Sequence, residues 1–203
     1  MNIIQKLIEP KMNINEQQKI FSNAMLKAMI IPLVAEQLLQ MIVGLADTMM
    51  VSYAGEPVVA GVGLDTMIYT IFIYLFTAIS AGGSVVVAQY IGSKNRKQGN
   101  LAASQIFFLA GLTALFCMVL MLLFGSALLE FIYPSTEPAT MEACKTYLWI
   151  VTFSFPANAI YNAGAAVYRT MGRTSTTMKV SVAANLINVA GNAVGIFVLH
   201  AGA

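Results

Sequence analysis

Long apolar stretches alternate with short polar connections along this chain. Mostly apolar runs occupy about 28–51, 58–80, 101–124, 146–168 and 180–199. Each approaches the roughly 20 residues an α-helix needs to cross the hydrocarbon core of a bilayer. The second run passes Gly82 and Gly83 and continues through Val87 and Tyr90 to about residue 91. That is too long for an upright span, so a tilt or a bend near the glycine pair is expected. Pro32 and Pro156 mark further expected kinks, and Asn158 and Asn162 follow Pro156 where freed carbonyls need partners. Residues 1–26 differ: Ile3, Ile4, Leu7 and Ile8 recur in a helical rhythm among lysines, as in a segment lying on a membrane surface. The pattern predicts an all-α integral membrane protein, a polytopic bundle of about five transmembrane helices, with its membrane domain over 27–203.

Composition agrees. The 203 residues are 58% hydrophobic and 10% charged, against about 25% charged in soluble domains. A net charge of +2, with basic residues in short clusters, leaves no nucleic-acid footprint. Those clusters orient the helices. Lys6, Lys11, Lys19 and Lys27 precede the first run; Lys94, Arg96 and Lys97 follow the second; Arg169, Arg173 and Lys179 follow the fourth. The alternate connections carry only Lys145, with Glu56, Glu130, Glu137 and Glu142. By the positive-inside rule the N-terminus is cytoplasmic, in a multi-pass protein of the cell membrane. Without a secretory signal pattern, the first run would be retained as signal and anchor.

Charges inside spans point to function by default. Glu36 and Asp47 fall in the first run and Asp65 in the second. At about 100° per residue, Glu36, Gln40, Gly44 and Asp47 share an arc of roughly 80°. No lysine or arginine is expected deep in a span, so each carboxylate must be protonated, hydrated or bound to a cation from outside. The plainer alternative is a protonated acid hydrogen-bonded between helices. Asp47 and Asp65 both lie near the outer ends of their runs, Asp47 about 6 Å from the end at 1.5 Å per residue. Asn188 and Asn192, four apart on one face of the fifth run, reach the same level. Acidic and amide groups from three helices are thus expected to converge, with interhelical amide bonding as the rival reading.

Other features are weaker. Thr66, Thr70, Thr77 and Ser80 form a stripe on the second run, and Gly191 and Gly195 a small-xxx-small pair, both readable as packing. The thirteen methionines read more simply as filling than as a binding surface. Cys117 and Cys144 build no disulfide framework. No phosphate-binding glycine loop, His-Glu-x-x-His or Cys-x-x-Cys occurs, and the one histidine is His200. Neither an enzyme, nor a cofactor, nor a metal motif is indicated.

Pro32, Gln40 and Ala46-Asp47-Thr48 with Gly55 resemble the first helix of the multidrug and toxic compound extrusion (MATE) transporters. Val87-Ala88-Gln89-Tyr90-Ile91-Gly92, followed by a basic loop, is similar to the end of that family's second helix. Arg169 to Met178, then Asn185-Leu186-Ile187-Asn188-Val189-Ala190-Gly191-Asn192, resemble its fourth loop and fifth helix. The resemblance implies a secondary transporter exporting small organic, often cationic, compounds in exchange for H+ or Na+, built from two six-helix lobes. It implies that Asp47 is the coupling acid, with Na+ possible there, that Gln40 is a polar neighbour, and that Asn188 and Asn192 are the polar pair of the fifth helix. Three departures stand out. One branch of the family has an aspartate where Asn192 stands, so a two-aspartate relay would need Asp65 or Glu36. Thr177-Met178 replaces a frequent Thr-Pro. The chain also stops after the fifth helix, so it is expected to be most of one lobe, its partners being membrane lipids and the missing C-terminal lobe. A lipid-linked saccharide flippase of the same superfamily is a rival, as is a membrane scaffold without transport activity. The first should carry cations in its cleft, and the second has no need of a carboxylate stripe.

Overall fold

The computed structural model describes residues 23–194, and among these only helices and turns occur. Helix α1 spans Asn23–Val51 and a short 3-10 turn Ser52–Ala54 follows. Helices α2 (Glu56–Gly92) and α3 (Arg96–Ile132) come next, then α4 (Pro138–Thr152), α5 (Phe155–Thr170) and α6 (Thr174–Ala193). The surface segment expected over 1–26 lies outside the described residues save for its last four, which open α1. Gly195 and His200 lie outside them as well.

Helices α1, α2 and α3 are each long and apolar enough to cross a membrane. At 1.5 Å per residue the 37 residues of α2 or α3 reach about 55 Å, so both must tilt or project beyond a hydrocarbon core of about 30 Å. Large apolar side chains cover their outsides; Phe108, Phe116, Leu123 and Phe131 of α3 are all exposed. In lipid that surface is the solvated one.

The fourth span, expected as one helix, is instead two. α4 ends at Thr152 and α5 starts at Phe155, with Pro156 in its first turn. Proline fits a first turn because its missing N–H would have no intrahelical partner there. The Ser154 carbonyl accepts both the backbone N–H and the side-chain Nδ2 of Asn158, at 2.9 and 3.1 Å. Asn158 thus meets the Ser154 carbonyl at the break from both its backbone and its side chain. By contrast α1 runs unbroken through Pro32, and α2 through Gly82 and Gly83. Gly83 admits Ile106 of α3, whose Cγ1 would lie 2.5 Å from an added Cβ.

Helices α2, α3, α4 and α5 form one tightly packed bundle, while α1 and α6 pair chiefly with each other and meet that bundle along thin seams. Small residues at helical spacing bring the bundle together: Ala102, Ala110, Ala114 and Gly125 on α3, Ala159 and Ala163 on α5. Phe155, at the α4–α5 break, fills the centre among Tyr69, Phe72 and Phe76 of α2, with ring centroids 4.9–5.9 Å away. At the far end of α3, Glu130 pairs with Lys145 of α4.

The α2–α3 and α5–α6 turns are built alike. In the first, Lys94 N–H bonds the Ile91 carbonyl and Asn95 N–H the Tyr90 carbonyl. In the second, Gly172 N–H bonds the Arg169 carbonyl and Arg173 N–H the Tyr168 carbonyl. Both close a helix through a left-handed residue, Lys94 at φ 59° and Gly172 at φ 72°. Glycine is the usual choice there, and a side chain costs about 1–2 kcal/mol.

Candidate polar site at the α1–α6 seam

The acids that the sequence places on one stripe of α1 separate into two sites. Glu36 and Asp47 are eleven residues apart, about 16 Å along the axis at 1.5 Å per residue.

Glu36 is fully buried, at 0% exposure. Its Oε1 accepts from Arg169 Nη2 at 2.8 Å and from the Tyr161 hydroxyl at 3.4 Å, while Oε2 lies 3.3 Å from Thr177 Oγ1, whose single proton is shared with the Thr174 carbonyl at 2.7 Å. The expectation that no basic side chain reaches a span carboxylate is therefore corrected. Arg169 sits in the last turn of α5, and its long apolar stem carries the guanidinium inward to Glu36. A buried carboxylate with a guanidinium at 2.8 Å is charge-compensated where it stands. It ties α1 to α5 and α6 at one end of the seam, where Thr174 Oγ1 also donates to the Ala28 carbonyl at 3.5 Å.

Asp47, near the other end of α1, meets α6. Asn192 Nδ2 donates to Asp47 Oδ1 at 2.9 Å and lies 3.4 Å from Asn188 Oδ1. Turned so that its nitrogen faces the acid, the Asn188 amide donates to Oδ1 and Oδ2 of Asp47 at 3.1 and 3.2 Å. Turned the other way, its oxygen stands beside the carboxylate as a second oxygen ligand. The three expected residues are thus brought together, by two helices rather than three. No Lys or Arg pairs with Asp47 among the described residues. An ionised Asp47 has only neutral amide donors, and the same oxygens suit a proton or a small hard cation.

The remaining expected residues lie elsewhere. Gln40 is exposed on α1 beside an apolar groove with Gln37 and Leu38, and does not bond Asp47. Asp65 is fully buried on α2 and neither of its oxygens has a hydrogen-bond partner among the described residues. It sits one turn past Gly61, where α4 presses so close that an added Cβ would lie 2.9 Å from the Cys144 backbone nitrogen. An ionised, unpaired carboxylate is prohibitively costly in such a place, so Asp65 is neutral there. Tyr147 of α4 is half-buried. The sequence did not single out Tyr147 or Tyr161, and noted Thr177 only as part of the Thr177-Met178 departure. A second polar seam was half-legible: Asn162 Nδ2 donates to the Asn158 carbonyl at 3.0 Å, and its Oδ1 lies 3.5 Å from Thr77 Oγ1 of α2.

Known proteins share this fold. The sequence profile of the MatE family matches residues 32–194. An uncharacterized transporter, YisQ, of Bacillus subtilis is 29% identical over 180 residues, covering 82% of this chain and 36% of that protein. A probable multidrug resistance protein NorM of Thermotoga maritima is 30% identical over 159 residues, covering 78% of this chain and 34% of the relative. Among solved structures, MATE in complex with MaD3S superposes with a TM-score of 0.80 at 22% identity, over 87% of this chain and 40% of that one. A MOP superfamily transporter from Pyrococcus furiosus gives 0.79 at 22% identity, over 85% and 38%. The chain thus spans about a third of the length of the curated relatives it matches. With the profile covering most of its length and the helices arranged as in solved MATE structures, this chain belongs to the MatE family of membrane transporters.

Proposed function

We propose that this chain forms most of one lobe of an ion-coupled exporter of organic compounds, with Asp47 as the group that exchanges H+ or Na+ for a cationic substrate. The observation carrying this reading is the Asp47–Asn188–Asn192 cluster: a carboxylate in a membrane helix, contacted by amides and, among the described residues, paired with no basic side chain. A proton or sodium ion on Asp47 neutralises it; removal leaves a negative charge that attracts an organic cation. The Asn188 amide serves both states, donating its N–H groups to the bare carboxylate or presenting its oxygen to a bound cation. The relatives named as probable multidrug resistance proteins support organic compounds as the cargo. Alternating access between two walls needs the rest of a two-lobed protein, so this chain alone is expected not to export. The membrane is the cell membrane, with the α2–α3 and α5–α6 turns on the cytoplasmic side. Lipids surround the apolar faces.

The test is dye efflux by the full-length protein in liposomes, driven by an imposed pH or sodium gradient. Asp47→Asn keeps the shape of the site, so insertion should be unchanged while gradient-driven efflux is lost. Normal gradient-driven efflux in this variant would remove Asp47 from the coupling role and favour a carboxyl that only joins helices.

A further inference from the structure

The two similar turns at the α2–α3 and α5–α6 connections flank a basin of about 770 Å³ that has no part in the Asp47 cluster. Lys94 and Arg96 line it from one turn and Arg173 from the other, with Asn100 beside them on α3. All three cations are exposed, and none is in an ion pair among the described residues. The deeper wall is apolar, including Val87 of α2 and Val167 of α5. We propose that this basin takes the phosphate headgroup of an anionic phospholipid from the adjoining leaflet.

Three features carry this. Cations from two connections, about eighty residues apart in sequence, line one cavity, whereas a general bias of basic residues toward one side of the membrane requires no such meeting. The cavity also joins cationic and apolar lining, as a molecule with a charged head and an apolar body requires, and basic pockets between membrane helices at this level bind anionic headgroups. The third feature is Lys94 itself. It occupies the left-handed position that the matching turn gives to Gly172, so a side chain stands where the backbone favours none. Strain retained at one of two equivalent turns marks that side chain as useful, and it lines the basin.

A soluble phosphate could satisfy the same cations but would leave the apolar wall bare. The test therefore compares the two sources. Full-length protein in detergent is titrated with phosphatidylglycerol, phosphatidylcholine or inorganic phosphate, and bound lipid and melting temperature are read by native mass spectrometry and thermal unfolding. Wild type should retain and be stabilised by phosphatidylglycerol over the other two. Each charge removed should weaken retention about fivefold, and Lys94→Gln with Arg96→Gln and Arg173→Gln on the order of a hundredfold. Lys94→Gly separates binding from folding: it should lose lipid affinity without lowering the melting temperature in lipid-free detergent, because it relieves the strained turn. Equal retention by wild type and the triple variant would overturn the proposal, as would stabilisation by inorganic phosphate equal to that by the lipid. The outcome does not depend on whether Asp47 couples transport to an ion.

Discussion

Replacing Arg169 by glutamine should strand a carboxylate in the interior. Glu36 is 0% exposed, and its charge is met by the Arg169 guanidinium at 2.8 Å. The Tyr161 and Thr177 hydroxyls remain after the substitution, but at 3.4 and 3.3 Å they supply dipoles and no charge. Removing one member of a buried pair costs about 3–5 kcal/mol. The Arg169 side chain is 38% exposed, so water screens part of the interaction and a loss of about 3 kcal/mol is expected. Glu36→Gln made together with Arg169→Gln removes both charges and should recover to within about 1 kcal/mol of wild type. A double-mutant cycle by denaturant unfolding of the full-length protein in mixed micelles reads the coupling directly. A loss below about 1 kcal/mol for Arg169→Gln, with no recovery in the double variant, would refute an ionic Glu36–Arg169 pair and make Glu36 a neutral group.

Gly61→Ala should destabilise by about 1–3 kcal/mol, since the new methyl meets backbone atoms of Cys144 and Thr140 that cannot turn aside, whereas Gly82→Ala faces open space and should be neutral or slightly stabilising; thermal unfolding of the two variants checks the contrast. Phe155→Ala empties the ring cluster at the α4–α5 break and should cost about 3–5 kcal/mol; a loss under about 1 kcal/mol would mean that the break is held by something else. Asp65→Asn should leave unfolding within about 1 kcal/mol of wild type, because a neutral, unpartnered carboxyl is replaced by a neutral amide of the same shape; a much larger loss would reveal a partner that depends on the Asp65 carboxyl. A cysteine placed at Glu137 should react with an impermeant reagent from outside, and one at Ser93 should not; the reverse pattern would overturn the orientation.

Much of this architecture was legible in hydropathy, because α1, α2 and α3 announce themselves by length and composition alone. The α4–α5 break was only hinted at. Pro156 signalled a disturbance, but the apolar residues on both sides of Phe153 and Ser154 read as one continuous span. The Asp47 cluster was readable because Asn188 and Asn192 are four apart on one face, and because an acid in an apolar run has few possible partners. Glu36 was misread for a related reason. Arg169 stands beyond the last apolar residues of its run and looks like a loop cation; only the packed structure shows its stem reaching inward. The available signal was its place in the last turn of a helix, where a long side chain can reach beyond its own span. Gly83 was read with Gly82 as the place of a tilt or a bend; its close approach to Ile106 depends on another helix and so is invisible in local pattern.

The most direct test of Asp47 is equilibrium competition in the full-length protein. Binding of a labelled cationic dye is measured over a range of pH and of sodium concentration, in wild type and in Asp47→Asn. If one carboxylate serves both ligands, wild-type affinity should fall as protons or sodium ions are added, by up to about tenfold per pH unit where one proton is displaced. Asp47→Asn should bind the dye weakly and respond to neither. Wild-type affinity indifferent to both ions, or an Asp47→Asn variant that keeps the full response, would contradict the coupling role of Asp47.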